Sequence, residues 1–189
     1  MKQNDFEFSS RQLAYLLRHS EGICRLQGGW VSIADAMRHT RLKRTVIMEI
    51  VKDDKKGRFE INTKADCVRA LYGHSVNVEM GYEEVAPPRV LLHGTDRYAA
   101  DKILQEGLNT RSRQYVHLTD NMDMAFDVGS RHGEVVVLGI DAERMQADGI
   151  KFYNPVRSIW LTSSVPTQYI KIFGRIQDGV DDIVPKGQF

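Results

Sequence analysis

The sequence has few cysteines, with only Cys24 and Cys67 among 189 residues. Two thiols with no metal-type spacing cannot build a disulfide framework, which excludes a stapled secreted mini-domain and agrees with a reducing compartment. Both are read as packing residues. Long apolar runs are missing too: the longest, VVVLGI at 135–140, falls far short of the roughly 20 residues that a membrane-crossing helix requires. The opening stretch MKQNDFEFSS contains no apolar segment that would serve as a signal peptide. A cytoplasmic protein with no membrane partner is expected. No His-Glu-x-x-His and no Cys/His cluster occurs, so no metal is expected. A P-loop, a GxGxxG and a Gly-x-Ser-x-Gly elbow are all absent, which removes conventional kinase, Rossmann dehydrogenase and serine hydrolase chemistry.

What is present is ordinary in total and uneven in distribution. Hydrophobic residues at 42% and charged residues at 27% fit a soluble globular chain, and the formal net charge is only +1. Residues 11–69, however, hold 13 Lys and Arg against 7 Asp and Glu, an excess of 13 − 7 = +6, while residues 86–189 hold 12 against 13. The first half therefore favours a polyanionic partner and the second does not.

Two of the five prolines are adjacent, in EEVAPPRV at 83–90, and paired prolines enter neither a helix nor a central strand. The chain is divided there into lobes 1–86 and 87–189. In the first, SSRQLAYLLRHS offers Ser9 or Ser10 as an N-cap and places Leu13, Leu16 and Leu17 at helical spacing. Ser32 and Asp35 form a capping box ahead of a second helix, and RLKRTVIMEIVKDD predicts a third with Val46, Ile47 and Ile50 on one face. RFEI and CVRAL, separated by NTKAD, predict a β-hairpin. Three helices followed by a hairpin is the order of elements in a winged-helix domain.

In the second lobe, VLLHGT, YVHLT, EVVVLGID, KFY, SIWLT and YIKIFGRI predict strands. DRYAADKILQEGL predicts a helix ending at Gly107, and NMDMAFDVGSRHG one ending near Gly133. Two helices among five or six strands predict an α+β lobe with a split, curved sheet. The segment after Ile172, FGRIQDGVDDIVPKGQF, is expected to be a loosely ordered tail.

The histidines carry the chemical signal. Five of six sit beside glycine, arginine or a strand end: Arg18-His19, Gly73-His74-Ser75, His93-Gly94-Thr95, Val116-His117-Leu118-Thr119 and Arg131-His132-Gly133. His39 is the exception. A glycine beside a polar side chain lets a ligand approach the backbone closely. Taken singly, each such histidine reads as structural. Arginines recur in the same places, with Arg18 ending the first helix, Arg69 closing the hairpin, Arg113 preceding a strand and Arg131 closing a helix. Guanidinium groups match phosphate oxygens bidentately, so if these side chains converge they mark a phosphate site.

LAYLLRH, GGWVSIADAM, VRALYGHSV, PPRVLLHGT, SRQYVHLTD, GSRHGEVVVLGIDAERMQADGIKFY and SIWLTSSVPTQYI occur in this order between residues 13 and 170, in a stretch of resemblance over residues 8–172. Together they resemble the RNA 2′-phosphotransferase family. The resemblance implies a winged-helix-like RNA-binding lobe followed by an ADP-ribosyltransferase-like lobe. It implies a substrate RNA carrying a 2′-phosphate and NAD+ consumed as co-substrate. The phosphate would attack the anomeric carbon of the nicotinamide riboside, giving RNA-2′-phospho-ADP-ribose. The ribose 2″-hydroxyl would then attack that phosphate, releasing RNA with a 2′-hydroxyl and ADP-ribose 1″,2″-cyclic phosphate.

The family's Arg-His-Arg-Arg set maps onto Arg18, His19, Arg69 and Arg131, with His74, Ser75 and His132 beside the substrate phosphate. His93, Gly94 and Thr95 would hold the NAD+ ribose, with His117 opposite, and Leu118, Thr119, Arg113 and Ile159 would complete the pocket. Gly29-Trp30 and Leu71-Tyr72 are positions where variation within the family is expected, and neither alters the Arg-His set.

Many ADP-ribosyltransferases carry a glutamate near the acceptor, where this chain has Ile159 in SIWLT. The absence is consistent with the chemistry. A phosphate is already an anionic nucleophile that needs orientation and charge neutralisation, and a carboxylate beside it would repel it. Two other functions fit parts of the pattern: an ADP-ribosyltransferase that stops at terminal phosphates of RNA or DNA, and a winged-helix nucleic-acid-binding module without catalysis. A monomer is expected.

Overall fold

A computed structural model of the chain describes residues 3–131, 134–177 and 180–183. It has the mixed α+β character that the alternation of periodicities predicts. Two compact units emerge, Met1–Gly81 with Ser112–Gln114, and Tyr82–Arg111 with Tyr115–Phe189. Each has its own apolar core.

The first unit runs α1 (Gln3–His19), β1 (Val31–Ser32), α2 (Ile33–Thr40), α3 (Arg44–Lys52), β2 (Phe59–Asn62) and β3 (Cys67–Ala70). Leu13, Leu16 and Leu17 line one stripe of α1 and bury against Ile33, Ile47, Ile50 and Phe59. The capping box forms as expected: the Ser32 hydroxyl accepts from Asp35 N at 3.0 Å and donates to the Asp35 carboxylate at 2.8 Å. The expected hairpin is present with Glu60 opposite Arg69, and its turn is held by Asn62 Oδ1, which accepts from Lys64 N and Ala65 N. An unanticipated strand, β1, pairs with β3 through Val31 and Ser32.

The start of α1 differs from expectation. It begins at Gln3, so Ser9 and Ser10 are buried helix-interior residues and neither is an N-cap. The Ser9 hydroxyl instead donates to Asp5 O four residues back at 2.8 Å, and Ser10 accepts from Arg58 at 2.9 Å. Serine satisfies itself this way inside a helix as readily as at its end, which is why the cap signal misleads here. Cys67 is buried as expected, whereas Cys24 is exposed and packs against no core.

The second unit runs β4 (Val90–Asp96), α4 (Arg97–Glu106), β5 (Leu108–Asn109), β6 (Val116–Leu118), α5 (Met122–Gly129), β7 (Val135–Asp141), α6 (Ala142–Ala147), β8 (Tyr153–Val156), β9 (Ile159–Thr162), β10 (Ser164–Val165), β11 (Ile170–Gln177) and β12 (Val180–Ile183). The strands form antiparallel sheets in the orders β12-β11-β7-β4, β6-β9-β8 and β10-β5. Alternation along β7 explains the layering. Val136, Leu138 and Ile140 bury on one face with Leu91, Phe152 and Trp160, while Val135 and Val137 bury on the other with Leu92 and Ala125. The two larger sheets are joined where Leu92 and Thr119 exchange backbone hydrogen bonds of 2.7 and 2.9 Å.

Three expectations change in this unit. A third helix, α6, follows β7, capped by Asp141 and anchored by the fully buried Met145. Six residues are too few to show a helical period in the sequence. Helix α5 ends at Gly129 and not near Gly133, and His132 and Gly133 lie outside the described residues. The expected loose tail is in part ordered strand, because β11 continues to Gln177 and pairs with β7 and β12. Its remaining residues, 178–179 and 184–189, lie outside those described.

Candidate functional site

A helix ends with backbone carbonyls that have no partner within it, and α1 resolves this with side chains and a loop. Arg25 Nη2 donates to Leu16 O at 2.9 Å, and Ser75 N donates to Arg18 O at 3.0 Å. The Gly73-His74-Ser75 segment is thereby fastened to the last turn of α1. Gly73 has φ +88, and a Cβ there would stand 3.2 Å from Arg18 Cζ, so only glycine lets the guanidinium lie against this loop. On its other side Arg18 stacks over the Tyr72 ring, 4.7 Å from the centroid.

Arg18 Nε and Nη2 are buried, and neither donates to a partner among the described residues. Burial lowers the pKa of Arg18 from its ordinary value, Tyr72 opposes the shift, and the charges of Arg113 and Arg58 add to it. His19 accepts or donates a 2.9 Å bond through Nδ1 to the Ser75 hydroxyl. Its pKa is lowered by burial first, then by Arg18 and Arg113. His74 is 3% exposed and its pKa is pushed down to about 4, by burial and then by Arg18, Arg25, His19 and Arg69. Arginine charges thus add to burial in lowering the pKa of both histidines. Buried charged donors without a partner are strongly unfavourable unless an anion completes them, and phosphate matches the guanidinium fork.

Arg69 is engaged differently. Its Nε and Nη2 reach Glu60 at 2.8 and 2.6 Å, Nη1 donates to Gly28 O at 3.1 Å, and the group stacks on Trp30 at 4.4 Å. Trp30 and Tyr72, read in the sequence as variable positions without bearing on the Arg-His set, are therefore the aromatic seats of its two first-unit arginines. Sequence reasoning missed both, although an aromatic side chain close to a cation-rich motif is the signal that would have found them. Arg113 also moves. It lies in Ser112–Gln114, which groups with the first unit because Gln114 N donates to His74 O at 3.0 Å and the Gln114 side chain to Asn77 at 3.3 Å. Its charge acts on Arg18 and His19.

In the second unit His93 lies inside β4, opposite Leu138, and the strand continues to Asp96, so His93 does not end it. His93 Nδ1 and His117 O are 3.1 Å apart, and His117 Nδ1 and Tyr115 O are 3.0 Å apart. Gly94 faces α5 so closely that a Cβ would fall 1.6 Å from Ala125 O. What approaches the backbone at Gly94 is thus a helix, as at Gly73 it is an arginine. The glycine-beside-histidine pattern has a packing cause at both positions. Gly129 makes the same kind of contact with the Thr95 backbone.

Leu118 and Thr119 are buried beside this region, and Thr119 Oγ1 accepts from Asn121 N at 3.1 Å. Ile159 is half-buried on β9, its carbonyl accepting from Asn154 at 2.8 Å. Next to it Trp160 Nε1 donates to Asp120 at 3.1 Å, a pairing that sequence reasoning did not anticipate. Arg131 is exposed, just after α5.

The structure thus brings Arg18, His19, Arg69, His74, Ser75 and Arg113 into the first unit, and His93, Gly94, Thr95, His117, Leu118, Thr119, Ile159 and Arg131 into the second. No helix among the described residues is long and apolar enough to cross a membrane, and no group of three or more potential metal ligands occurs among them.

An anion-seeking cluster alone leaves many families open, and similarity to known proteins narrows them to one. The family described as RNA 2'-phosphotransferase, Tpt1 / KptA family, matches residues 4–164. Relatives that bear the name "Probable RNA 2'-phosphotransferase" match most of the chain. The one from Pectobacterium carotovorum is 41% identical over 170 residues, covering 85% of this chain and 91% of the relative. That from Acaryochloris marina is 38% identical over 168 residues, covering 85% and 93%. The one from Thermococcus kodakarensis is 38% identical over 172 residues, covering 86% and 94%. With the match running through both units, including Arg18, His19, Arg69 and Arg131, the chain belongs to the RNA 2′-phosphotransferase, Tpt1/KptA family.

Proposed function

We propose that the protein is an NAD+-dependent RNA 2′-phosphotransferase. The observation that carries this reading is the pair of buried, unpartnered donors on Arg18, with the charges of Arg113 and Arg58 acting on the same group. The first unit, read as a winged-helix-type lobe, receives the RNA. Arg18 donates to the 2′-phosphate, and His19, held by Ser75, orients it or exchanges a proton with the ribose hydroxyl. Arg113 adds long-range positive potential to the same site. His74, buried and neutral, positions the loop and does not itself carry charge to the substrate. Arg69 contributes from its seat on Trp30, where Glu60 fixes its direction.

The second unit, read as an ADP-ribosyltransferase-type lobe, takes NAD+ as a substrate that is consumed. The residues present fit a ribose: His93 and His117 are half-buried hydrogen-bonding side chains placed beside each other by β4 and β6, with Thr95 half-buried two residues on from His93. Side chains that hydrogen-bond in a fixed direction suit hydroxyl groups. In the first step the 2′-phosphate oxygen bonds to the anomeric carbon as the bond to nicotinamide breaks. In the second the 2″-hydroxyl bonds to phosphorus and the RNA 2′-oxygen leaves with a proton. Arg131 stabilises the charge that builds on phosphorus. With Ile159 in place of a carboxylate, the attacking group has to bring its own negative charge, as a phosphate does.

Mixing the protein with NAD+ and a short oligonucleotide bearing an internal 2′-phosphate tests the reading. Nicotinamide release followed by ADP-ribose 1″,2″-cyclic phosphate is expected. A stable ADP-ribosylated terminal phosphate would place the protein with end-capping transferases instead. Salt-dependent RNA binding indifferent to NAD+, with no nicotinamide release, would reduce it to a binding module.

A further inference from the structure

Helix α1 buries Ser9, Ser10, Leu13, Leu16 and Leu17 on one side and leaves two large aromatic side chains uncovered on the other, Phe8 at 63% and Tyr15 at 64% exposure. Single exposed aromatics are common on protein surfaces and need no explanation. These two are seven residues apart, two turns on the same stripe, and they share it with cations. At 3.6 residues per turn, Phe8, Arg11, Arg18 and His19 all fall within about 60° of Tyr15 around the helix. The helix's acidic residues, Asp5 and Glu7, lie about 80° to either side of it. Arg11 is exposed, between the two rings. The stripe ends at the anion cluster, because the Tyr15 ring stands 5.4 Å from the ring of His19, one turn on.

We infer that this face of α1 is a single-stranded RNA track, in which the base next to the phosphate-bearing nucleotide stacks on Tyr15. Arg11 takes the following backbone phosphate and Phe8 offers a second stacking surface about 10 Å further along the helix axis. Alternating rings and guanidinium groups are the means by which proteins hold single strands without reading their sequence, since every base has a π-face and every linkage a charge. The occupant follows from charge complementarity and from continuity with the phosphate cluster: a polyanion anchored at Arg18 has this stripe beside it, in the half of the chain that carries the +6 excess. The consequence is a preference for phosphates embedded in a strand over the same phosphate on a single nucleoside. This inference rests on the proposed function for the identity of the anchored group.

Tyr15→Ala, Tyr15→Phe and Phe8→Ala are compared with the unaltered protein on a long single-stranded oligonucleotide with an internal 2′-phosphate, on the corresponding 2′-phosphorylated mononucleoside, and on NAD+. Tyr15→Ala is expected to raise KM for the long substrate about tenfold, as loss of one stacked base would. Turnover of the mononucleoside, the KM for NAD+ and the thermal midpoint should change little, and Tyr15→Phe should behave as the parent. Phe8→Ala should act in the same direction, more weakly, and on the long substrate alone. Equal effects of Tyr15→Ala on long and short substrates, or no effect on either, would overturn the track. Direct titration of the long oligonucleotide without NAD+ separates this from the functional reading. If the parent protein turns over neither substrate but Tyr15→Ala still weakens binding, the track stands and the proposed reaction falls.

Discussion

The two units hold their polar residues in opposite ways. Around the end of α1, burial and then the charges of Arg18, Arg25 and His19 hold the pKa of His74 down, and Arg18 keeps two buried donors without partners. In the second unit the imidazoles are tied through Nδ1 to backbone carbonyls, His93 to His117 and His117 to Tyr115, on a framework of paired strands. The first arrangement stores electrostatic stress that an anion relieves, and the second fixes shape and hydrogen-bonding direction. A phosphate and a ribose call for those different provisions.

Substitutions should separate the two kinds of provision. The largest effect is expected from Arg18→Ala, with phosphate transfer falling about 10²- to 10³-fold while NAD+ binding, followed by titration, stays as it was. Arg18→Lys should rescue little, because a point charge lacks the fork. A variant that lost NAD+ affinity as well would break the division of labour. Gly94→Ala should lower stability by about 3 kcal/mol or more in thermal denaturation, since its Cβ meets the Ala125 carbonyl and backbone cannot step aside as a flexible side chain would. A melting profile matching the parent's would show that α5 repacks freely.

His93→Ala is expected to raise KM for NAD+ about tenfold with a stability change below about 1 kcal/mol. Loss of several kcal/mol with NAD+ use intact would make it a core histidine. A further effect concerns pH. His74 is held near pKa 4 when folded, below the ordinary value of 6.5, so the unfolded chain binds more protons between those values. Its contribution is complete above about pH 6.5 and is lost as pH falls toward 4. Denaturant midpoints measured across that window should decline, and less steeply in His74→Asn.

Much of this was legible from residue order. The leucine stripe of α1, the Ser32 capping box, the 59–70 hairpin and the β-branched run of β7 all follow from periodicity, β-propensity and turn chemistry, which are local. The features that escaped are those in which a residue answers to something distant in sequence. Ser9 looked like a cap because nothing nearby revealed that the helix had already begun six residues earlier. Gly73 and Gly94 were read as openings for a ligand, when their missing side chains make room for Arg18 and for α5. Tyr72 and Trp30 were passed over because a cation stacked on a ring leaves no spacing to find. Arg113 was assigned by its chain neighbours to one lobe, and a single backbone bond from Gln114 to His74 placed it with the other. The Arg-His-Arg-Arg pattern was recognisable as a set of motifs, and motifs report identity without reporting what each side chain touches.

One contact reaches further than its size suggests. Helix α5 rests backbone against backbone on β4 at Gly94, and again through Gly129 on Thr95, so no rotamer cushions the join. Arg131 follows two residues after that helix ends. Wherever α5 settles, the guanidinium travels with it, which makes a methyl group added at residue 94 a way to mis-aim a charge nearly forty positions later in the chain.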